Sequence, residues 1–229
     1  MPTKNKFKPV KPIVYVTKER TTILDRKNIN INTIGEKGFG LSCIPLQWTL
    51  PFIVVSAQLV DEYKNLIAKN QKTDDWLHEW CTRIGTALVK ENITGDIIVR
   101  SSGCAEGLAQ RGDLCSCSGT STDIFNLLLQ CLQDLYSKNN IIHKNIPLVI
   151  QQYIKGSIYR GHLSNERRVS AQKRDWTGQI DEYNYIKIHH REWRRSFDIN
   201  KLSKQSITCS NVKNIKKALE IPATWAAKK

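Results

Sequence analysis

The chain has 229 residues, 40% of them hydrophobic, which is enough for one large domain or two small domains with a buried core. No apolar run approaches the roughly 20 residues of a membrane-spanning helix. No apolar signal segment follows the basic amino terminus. Membrane and secreted classes are therefore disfavoured, and we expect a soluble, cytoplasmic protein.

The net charge of +14 comes from 35 basic and 21 acidic residues and is unevenly distributed. Basic residues concentrate in residues 1–20, between Arg160 and Arg195, and in the tail from Lys201. Such clusters predict a surface for nucleic acid or another polyanion. The alternative is that basic, flexible ends only keep the protein soluble. A bound nucleoside triphosphate also needs a positive field, but a more local one.

Helical and strand-like patterns alternate and predict a mixed α and β fold. Residues 1–12 are basic, show no periodicity, and are expected to be disordered. Strands are predicted over 13–16, 51–56, 96–100 and 147–154, and helices over 57–69, 74–91 and 122–136. Ser56 is a candidate to cap the first of these helices.

The remaining segments are predicted from glycine content and polarity. Residues 35–40 are expected to form a turn that leads into a short helix over 41–46. Residues 103–120 are rich in glycine, serine and cysteine and predict a long loop, which is usually functional or mobile. Further strands are predicted over 156–169 and 176–193, with a turn between them. The sequence beyond Ser196 is polar and weakly patterned.

The seven cysteines are predicted to be reduced thiols, because their number is odd and no Cys-x-x-Cys pair occurs. Three lie in apolar, helix-like surroundings and three cluster in one loop: Cys43, Cys81 and Cys131, and Cys104, Cys115 and Cys117, respectively. A zinc site or a thiol-based redox protein is the alternative. The loop cluster lacks a fourth metal ligand at a plausible spacing.

Two motifs place a cation beside small residues. Gly35 to Gly40 surrounds Lys37 with glycines, which let the backbone approach a ligand, and a lysine there suits phosphate oxygens. Its spacing is not that of a Walker loop, and an ordinary turn is the alternative.

Arg100-Ser101-Ser102 ends a buried strand, so the strand aims a planar cation and two hydroxyls at one sheet edge. An arginine that caps a helix or bridges to a surface acid is the alternative.

A third motif, Gln151-Gln152-Tyr153-Ile154, continues an apolar strand. The edge of such a strand can offer backbone N–H and C=O groups to an adenine base, while side chains reach the sugar. A plain strand with a polar exposed face is the alternative.

The order of these blocks resembles a known family. Gly-x-Lys-Gly, Pro-x-x-x-Val-x-Ser, Ile-x-Val-Arg-Ser-Ser, Val-Ile-Gln-Gln-Tyr-Ile and Gly161 to Glu166 are similar to the nucleotide-binding domain of phosphoenolpyruvate synthase and pyruvate phosphate dikinase. The resemblance covers about residues 33–178. It implies an α+β fold of ATP-grasp type, with a mixed β-sheet and flanking helices, truncated or divergent in its second part.

The resemblance also implies a domain division. A basic extension over 1–12 would precede an N-terminal subdomain over 13–145. An incomplete, β-rich second subdomain would follow over 146–195, and a basic tail over 196–229.

The resemblance implies that ATP and Mg²⁺ are the cofactors. The residues that it and the motifs assign to ATP are Lys37, Arg100, Ser101, Arg111, Gln151, Gln152 and Ile154. Lys37 and Arg100 would hold phosphates, with Arg100 also the catalytic candidate. Gln151, Gln152 and Ile154 would contact adenine and ribose. Arg111 is either a second phosphate cation or a surface loop arginine.

The chain departs from the family in its acidic residues. The family holds magnesium with a block such as Gln-Asp-Ile-Glu, and none follows Trp193. Glu182 and Glu192 are possible substitutes. Phosphoryl transfer needs metal on the β- and γ-oxygens, so a complete kinase is hard to build from this chain alone.

Two functions from different classes follow. The leading one is an ATP-binding domain that is part of a larger phosphotransferase or is completed by a protein partner. Whether the chain is itself an enzyme stays open. The alternative is a non-catalytic binding protein whose basic surface holds nucleic acid or a protein partner. No membrane partner is expected.

Overall fold

The computed structural model describes residues 8–103, 115–137 and 145–153 in full, and the backbone of four strands between 161 and 201. Contacts within the chain divide it into two compact units, residues 1–155 and 156–229. Each unit is described by itself. Among the described residues, no helix is long and apolar enough to cross a membrane.

A six-stranded mixed sheet forms the centre of the first unit. Its strands are β1 (Ile13–Val16), β2 (Thr21–Leu24), β3 (Phe52–Val55), β4 (Asp96–Ser101), β5 (Ser116–Thr120) and β6 (Leu148–Gln152). Their order is β2-β1-β3-β6-β4-β5. The β1–β3 pair is parallel, and every other neighbouring pair is antiparallel. Because β6 lies between β3 and β4, residues 148–152 are part of the central sheet of the first unit.

Helices cover both faces of this sheet, as expected for the predicted α+β class. They are α1 (Ile31–Ser42), α2 (Gln58–Ala68), α3 (Asp74–Lys90) and α4 (Ile124–Ser137). The last three pack on one face, over the larger part of the core, and α1 packs on the other. We call the face under α1 the α1 face. The mixed sheet with flanking helices is confirmed.

The helices form where the sequence places apolar residues at helical spacing. Along α3, Leu77, Trp80, Ile84 and Leu88 are all buried, because positions three or four apart share one helix face. Two aspartates in its first turn and Lys90 in its last turn interact favourably with the helix dipole and stabilise the helix. The Ser56 hydroxyl accepts the Gln58 N–H at 3.2 Å, but the N-cap residue of α2 is Ala57 and not the predicted Ser56.

Two predicted local structures are wrong. Residues 35–40 do not form a turn before a helix over 41–46, since they lie within α1. Only Gly35 leaves the helical conformation, with φ 71° and ψ 172°. The predicted loop over 103–120 is wrong in its second half, where β5 pairs with β4 along its whole length. Residues 104–114 lie outside the described residues. Strand β2 was not predicted.

The prediction that all cysteines are reduced is also wrong. Cys115, just before β5, forms a disulfide with Cys131 on α4, and their Cα atoms lie 5.5 Å apart. The pairing between β5 and β4 places Cys115 over α4, which local sequence patterns cannot show because the two residues are 16 apart. Cys43 and Cys81 are buried among apolar residues, as expected.

The second unit contains a four-stranded antiparallel sheet. Its strands are β7 (Gly161–Arg167), β8 (Arg174–Ile180), β9 (Asn184–Ile188) and β10 (Asp198–Lys201), in the order β10-β9-β8-β7. The strands predicted in this region exist, although the segment predicted over 176–193 holds parts of two strands. Strand β10 falls in the segment predicted to be weakly patterned.

Candidate functional site

The Gly-x-Lys-Gly and Arg-Ser-Ser motifs meet where α1 crosses the end of β4. The Lys37 ammonium donates a hydrogen bond to the Ser101 carbonyl at 2.8 Å. The next residue of each motif makes a second contact, in which the Gly38 N–H donates to the Ser102 hydroxyl at 3.0 Å. The two motifs are 64 residues apart in the chain. The fold therefore joins two motifs that the sequence could only place in order.

The Ser102 hydroxyl bridges a break in α1. It accepts from the Gly38 N–H and donates to the Ile34 carbonyl at 2.9 Å. In a continuous helix that N–H and that carbonyl, four residues apart, would bond to each other. Here the kink at Gly35 separates them, and the buried serine satisfies both. Ser102 thus has a structural role within the motif.

Two glycines of the first motif, Gly35 and Gly38, allow α1 to pack closely against the sheet. A Cβ atom at Gly35 would overlap the Ser102 carbonyl oxygen, and its φ of +71° lies in the left-handed region. A Cβ at Gly38 would lie 3.3 Å from a Val54 methyl, so this position also favours a small residue. The predicted reason for these glycines was approach to a ligand. The structure gives them a different use, which is to bring Lys37 onto the end of β4.

Arg100 lies beside this junction and is exposed. Its cross-strand neighbours are Val149 on β6 and Ser116 on β5. Because Val149 packs with the residues under α1, Arg100 emerges on the α1 face. Within the fully described residues, its guanidinium has no hydrogen-bond or ion-pair partner. We call these two cations, which flank Ser101, the Lys37–Arg100 pair.

Two further hydroxyls share the face of Arg100 and were missed from the sequence. Ser116 and Ser118 are exposed on β5, opposite Arg100 and Ile98. Their signal is a period of two, since the intervening Cys117 and the preceding Cys115 are buried. That alternation predicts a strand, but the content of glycine and serine hid it within a presumed loop.

Ser101 was assigned to the ligand, and the structure gives it a buried position. Its side chain has no exposed surface and lies on the sheet face opposite Arg100. Its N–H donates to the Cys115 carbonyl at 3.2 Å, and its hydroxyl lies 3.5 Å from the same oxygen. Ser101 contributes to the site through its backbone carbonyl, which accepts the hydrogen bond from the Lys37 ammonium.

The two glutamines point to opposite faces of the sheet. Gln151 lies on the α1 face, and its amide nitrogen lies 3.5 Å from the Leu50 carbonyl. It is a diagonal neighbour of Arg100, which puts the two Cα atoms about 7–8 Å apart. Gln152 lies on the other face, and its backbone N–H donates a hydrogen bond to the Pro51 carbonyl at 3.0 Å. Only Gln151 is brought to the side of Arg100.

A third basic residue on the α1 face was missed. The Lys11 ammonium lies 4.7 Å from the centre of the Phe52 ring, which is the cross-strand neighbour of Gln151. The side chain is 5% exposed, and burial lowers its pKa from 10.5 to about 8. No sequence signal marked it, because it falls in the segment predicted to be disordered. The Val10 N–H ties that segment to Ser42, at the end of α1.

Arg111 and Ile154, the remaining candidates, lie outside the described residues, as do Glu182 and Glu192. In the part of the chain that the structure describes, no group of three or more His, Cys, Asp or Glu side chains is placed to hold a metal ion. The described site is therefore a cationic surface with hydroxyl and amide groups beside it. Such groups bind anions.

Comparison with known proteins found no match for the chain among family models, curated proteins or solved structures. Its function is therefore inferred from its residues and their geometry.

Proposed function

We propose that the first unit binds ATP as a domain of ATP-grasp type, similar to the nucleotide-binding domain of phosphoenolpyruvate synthase and pyruvate phosphate dikinase. The observation that supports this best is the hydrogen bond from Lys37 to Ser101. It unites two of the motifs on which the resemblance depends and holds Lys37 at the residue that follows Arg100 in the chain.

The Lys37–Arg100 pair suits a polyphosphate. Arg100 offers a planar fork of donors that matches phosphate oxygens, and it has no competing acid within the fully described residues. The ammonium of Lys37 is a compact positive charge that is held at the Ser101 carbonyl, and such a charge attracts phosphate oxygens. The hydroxyls of Ser116 and Ser118 lie on the same face and can add hydrogen bonds.

The order of groups along the α1 face fits a nucleotide. Phosphates would lie at Arg100, and the sugar and base would extend along β6 towards Gln151. Gln152 faces the other side of the sheet, so we give it no direct contact through its side chain. Its N–H is already bonded to Pro51. The base would therefore be read by Gln151 and by residues outside the described part.

The proposal stops at nucleotide binding. When bound, Mg²⁺ neutralises charge on the β- and γ-oxygens of ATP. The described residues do not supply a ligand set for that ion. We propose that Arg100 neutralises charge on the transferred group during phosphoryl transfer, and that the metal ligands come from outside the described residues or from a protein partner. The acceptor is left open.

The test is nucleotide binding by the full chain. ATP with Mg²⁺ at about 100 times its Kd adds about 2.7 kcal/mol of stability, which raises the Tm by roughly 5–10 °C for a chain of this size. Arg100→Gln and Lys37→Met should each remove most of this rise. Arg83→Gln changes an arginine on α3, on the opposite sheet face, and should keep it. An unchanged Tm of the wild-type chain at millimolar ATP would contradict the proposal.

The charge of +14 favours a second candidate, a non-catalytic protein that binds nucleic acid. Such binding weakens steeply between about 50 and 200 mM salt, because phosphate contacts release counterions. Titration with a short duplex at both salt concentrations separates the two candidates. Tight, salt-sensitive binding without any response to ATP would favour the second one.

A further inference from the structure

We propose that Cys115 and Cys131 form a redox modification site that regulates the Lys37–Arg100 pair. Their disulfide strengthens nucleotide binding, and its reduction weakens it. This inference rests on the proposed function, because the ligand whose affinity changes is the nucleotide.

The disulfide joins the edge of the sheet to the core. Cys131 lies on α4 among Leu128 and Leu132, none of which has exposed surface. Cys115 directly precedes β5, the last strand of its sheet, and is 3% exposed. The bond therefore fastens the start of an edge strand to a well-packed helix.

The fastened residue is bonded directly to the site. The Cys115 carbonyl accepts the Ser101 N–H at 3.2 Å, and the Ser101 carbonyl in turn holds the Lys37 ammonium at 2.8 Å. The next residue, Ser116, is the cross-strand neighbour of Arg100. The disulfide is thus linked to Lys37 through the backbone of Cys115 and Ser101, and to the strand position of Arg100 through Ser116.

Among the described residues, the start of β5 is held by its ladder with β4 and by the buried side chains of Cys115 and Cys117. Its sequence, Ser-Cys-Ser-Gly-Thr, carries few apolar atoms, and β4 is its ladder partner in the described sheet. Gly119 packs closely against Leu127 at the far end of the strand. Edge strands with few buried contacts open locally at low free-energy cost. Reduction would let the start of β5 open and disorder the groups beside Arg100, so a ligand would then have to order them again.

The chemistry is thiol–disulfide exchange with a low-molecular-weight disulfide such as oxidised glutathione. The thiolate of Cys115, exposed when β5 opens, attacks one glutathione sulfur. The glutathione S–S bond breaks, and one glutathione leaves as its thiolate, which takes up the proton lost by Cys115. The Cys131 thiolate then attacks the Cys115 sulfur of the mixed disulfide and releases the second glutathione. Two protein thiols are oxidised, and one glutathione disulfide is reduced to two thiols.

The experiment compares the full chain in two redox states. The chain is equilibrated with oxidised or reduced glutathione, and alkylation with mass spectrometry establishes which cysteines are paired. Affinity for ATP is then measured by calorimetry, and hydrogen exchange is followed in peptides that cover residues 96–101 and 116–120. We expect at least fivefold tighter binding in the oxidised state, together with slower exchange in both peptides.

Two variants complete the design. The double variant Cys115→Ser, Cys131→Ser should bind ATP with the affinity of the reduced chain in either buffer. Cys81→Ser removes a buried cysteine on α3 and should keep the full redox dependence.

The outcomes separate this inference from the proposed function. Equal affinity for ATP in both states, or equal exchange over residues 96–101, overturns the redox site while nucleotide binding stands. An absence of ATP binding in both states overturns the proposed function, and the regulation falls with it. Failure of Cys115 and Cys131 to pair in oxidised glutathione also overturns the inference.

Discussion

Replacing Ser102 with alanine tests the junction that positions Lys37. The hydroxyl satisfies the Gly38 N–H at 3.0 Å and the Ile34 carbonyl at 2.9 Å, in a place without solvent access. Each buried polar group left without a partner costs about 1–3 kcal/mol. The kink at Gly35 keeps the two groups from bonding to each other. Ser102→Ala should therefore lower the free energy of unfolding by about 2–4 kcal/mol.

Ser101→Ala is the matched control for this change. The Ser101 side chain is equally buried, but its hydroxyl makes only a 3.5 Å contact with a carbonyl that the Ser101 N–H already satisfies. We expect it to cost less than about 1 kcal/mol. Urea denaturation of both variants measures the difference. Equal losses, or a loss below about 0.5 kcal/mol for Ser102→Ala, would refute the bridging role of the hydroxyl.

Three further predictions concern other positions. Gly35→Ala should lower the free energy of unfolding by more than about 2 kcal/mol, because its Cβ would overlap the Ser102 carbonyl oxygen and its backbone would be strained. A urea midpoint close to that of the wild type would contradict the close approach. Burial lowers the pKa of Lys11 from 10.5 to about 8 in the folded chain. Between these two pH values the unfolded chain binds more protons than the folded chain, so the free energy of unfolding should rise with pH across this range and be lowest below it. Lys11→Met should lack this rise, and parallel curves for variant and wild type would show that the pKa is not lowered. Glu62 accepts from the Trp76 indole at 2.7 Å and pairs with Lys18 at 3.2 Å, so Glu62→Gln should cost about 1–3 kcal/mol and alter tryptophan fluorescence; unchanged fluorescence and stability would argue against this contact.

The sequence predicted the elements whose periodicity is strong. Strand β1 and the start of α3 at Asp74 fall where the apolar pattern placed them. The prediction failed where a glycine-rich segment had two possible structural explanations. The glycines around Lys37 predicted a turn, but Gly35 and Gly38 lie within α1 and allow it to pack closely against the sheet. A residue's local conformational freedom does not reveal whether a ligand or the chain itself approaches it.

The motifs of the candidate site were predictable from the sequence, but their geometry and several neighbouring residues were not. The order of motifs singled out Lys37 and Arg100, yet only the fold shows that they flank Ser101. The opposite orientation of Gln151 and Gln152 follows from strand alternation once β6 is placed in the sheet. The disulfide between Cys115 and Cys131 depends on a long-range strand pairing, so no local pattern could indicate it.

The central claim is that the Lys37–Arg100 pair binds the phosphates of ATP, and calorimetric titration of the full chain with ATP and Mg²⁺ tests it most directly. The account predicts saturable binding in the wild-type chain and in Arg83→Gln. It also predicts a loss of at least tenfold in affinity in Arg100→Gln, the scale of one charge-assisted phosphate contact of about 1.5–3 kcal/mol. Binding that is absent from the wild type, or that survives unchanged in Arg100→Gln, would contradict it.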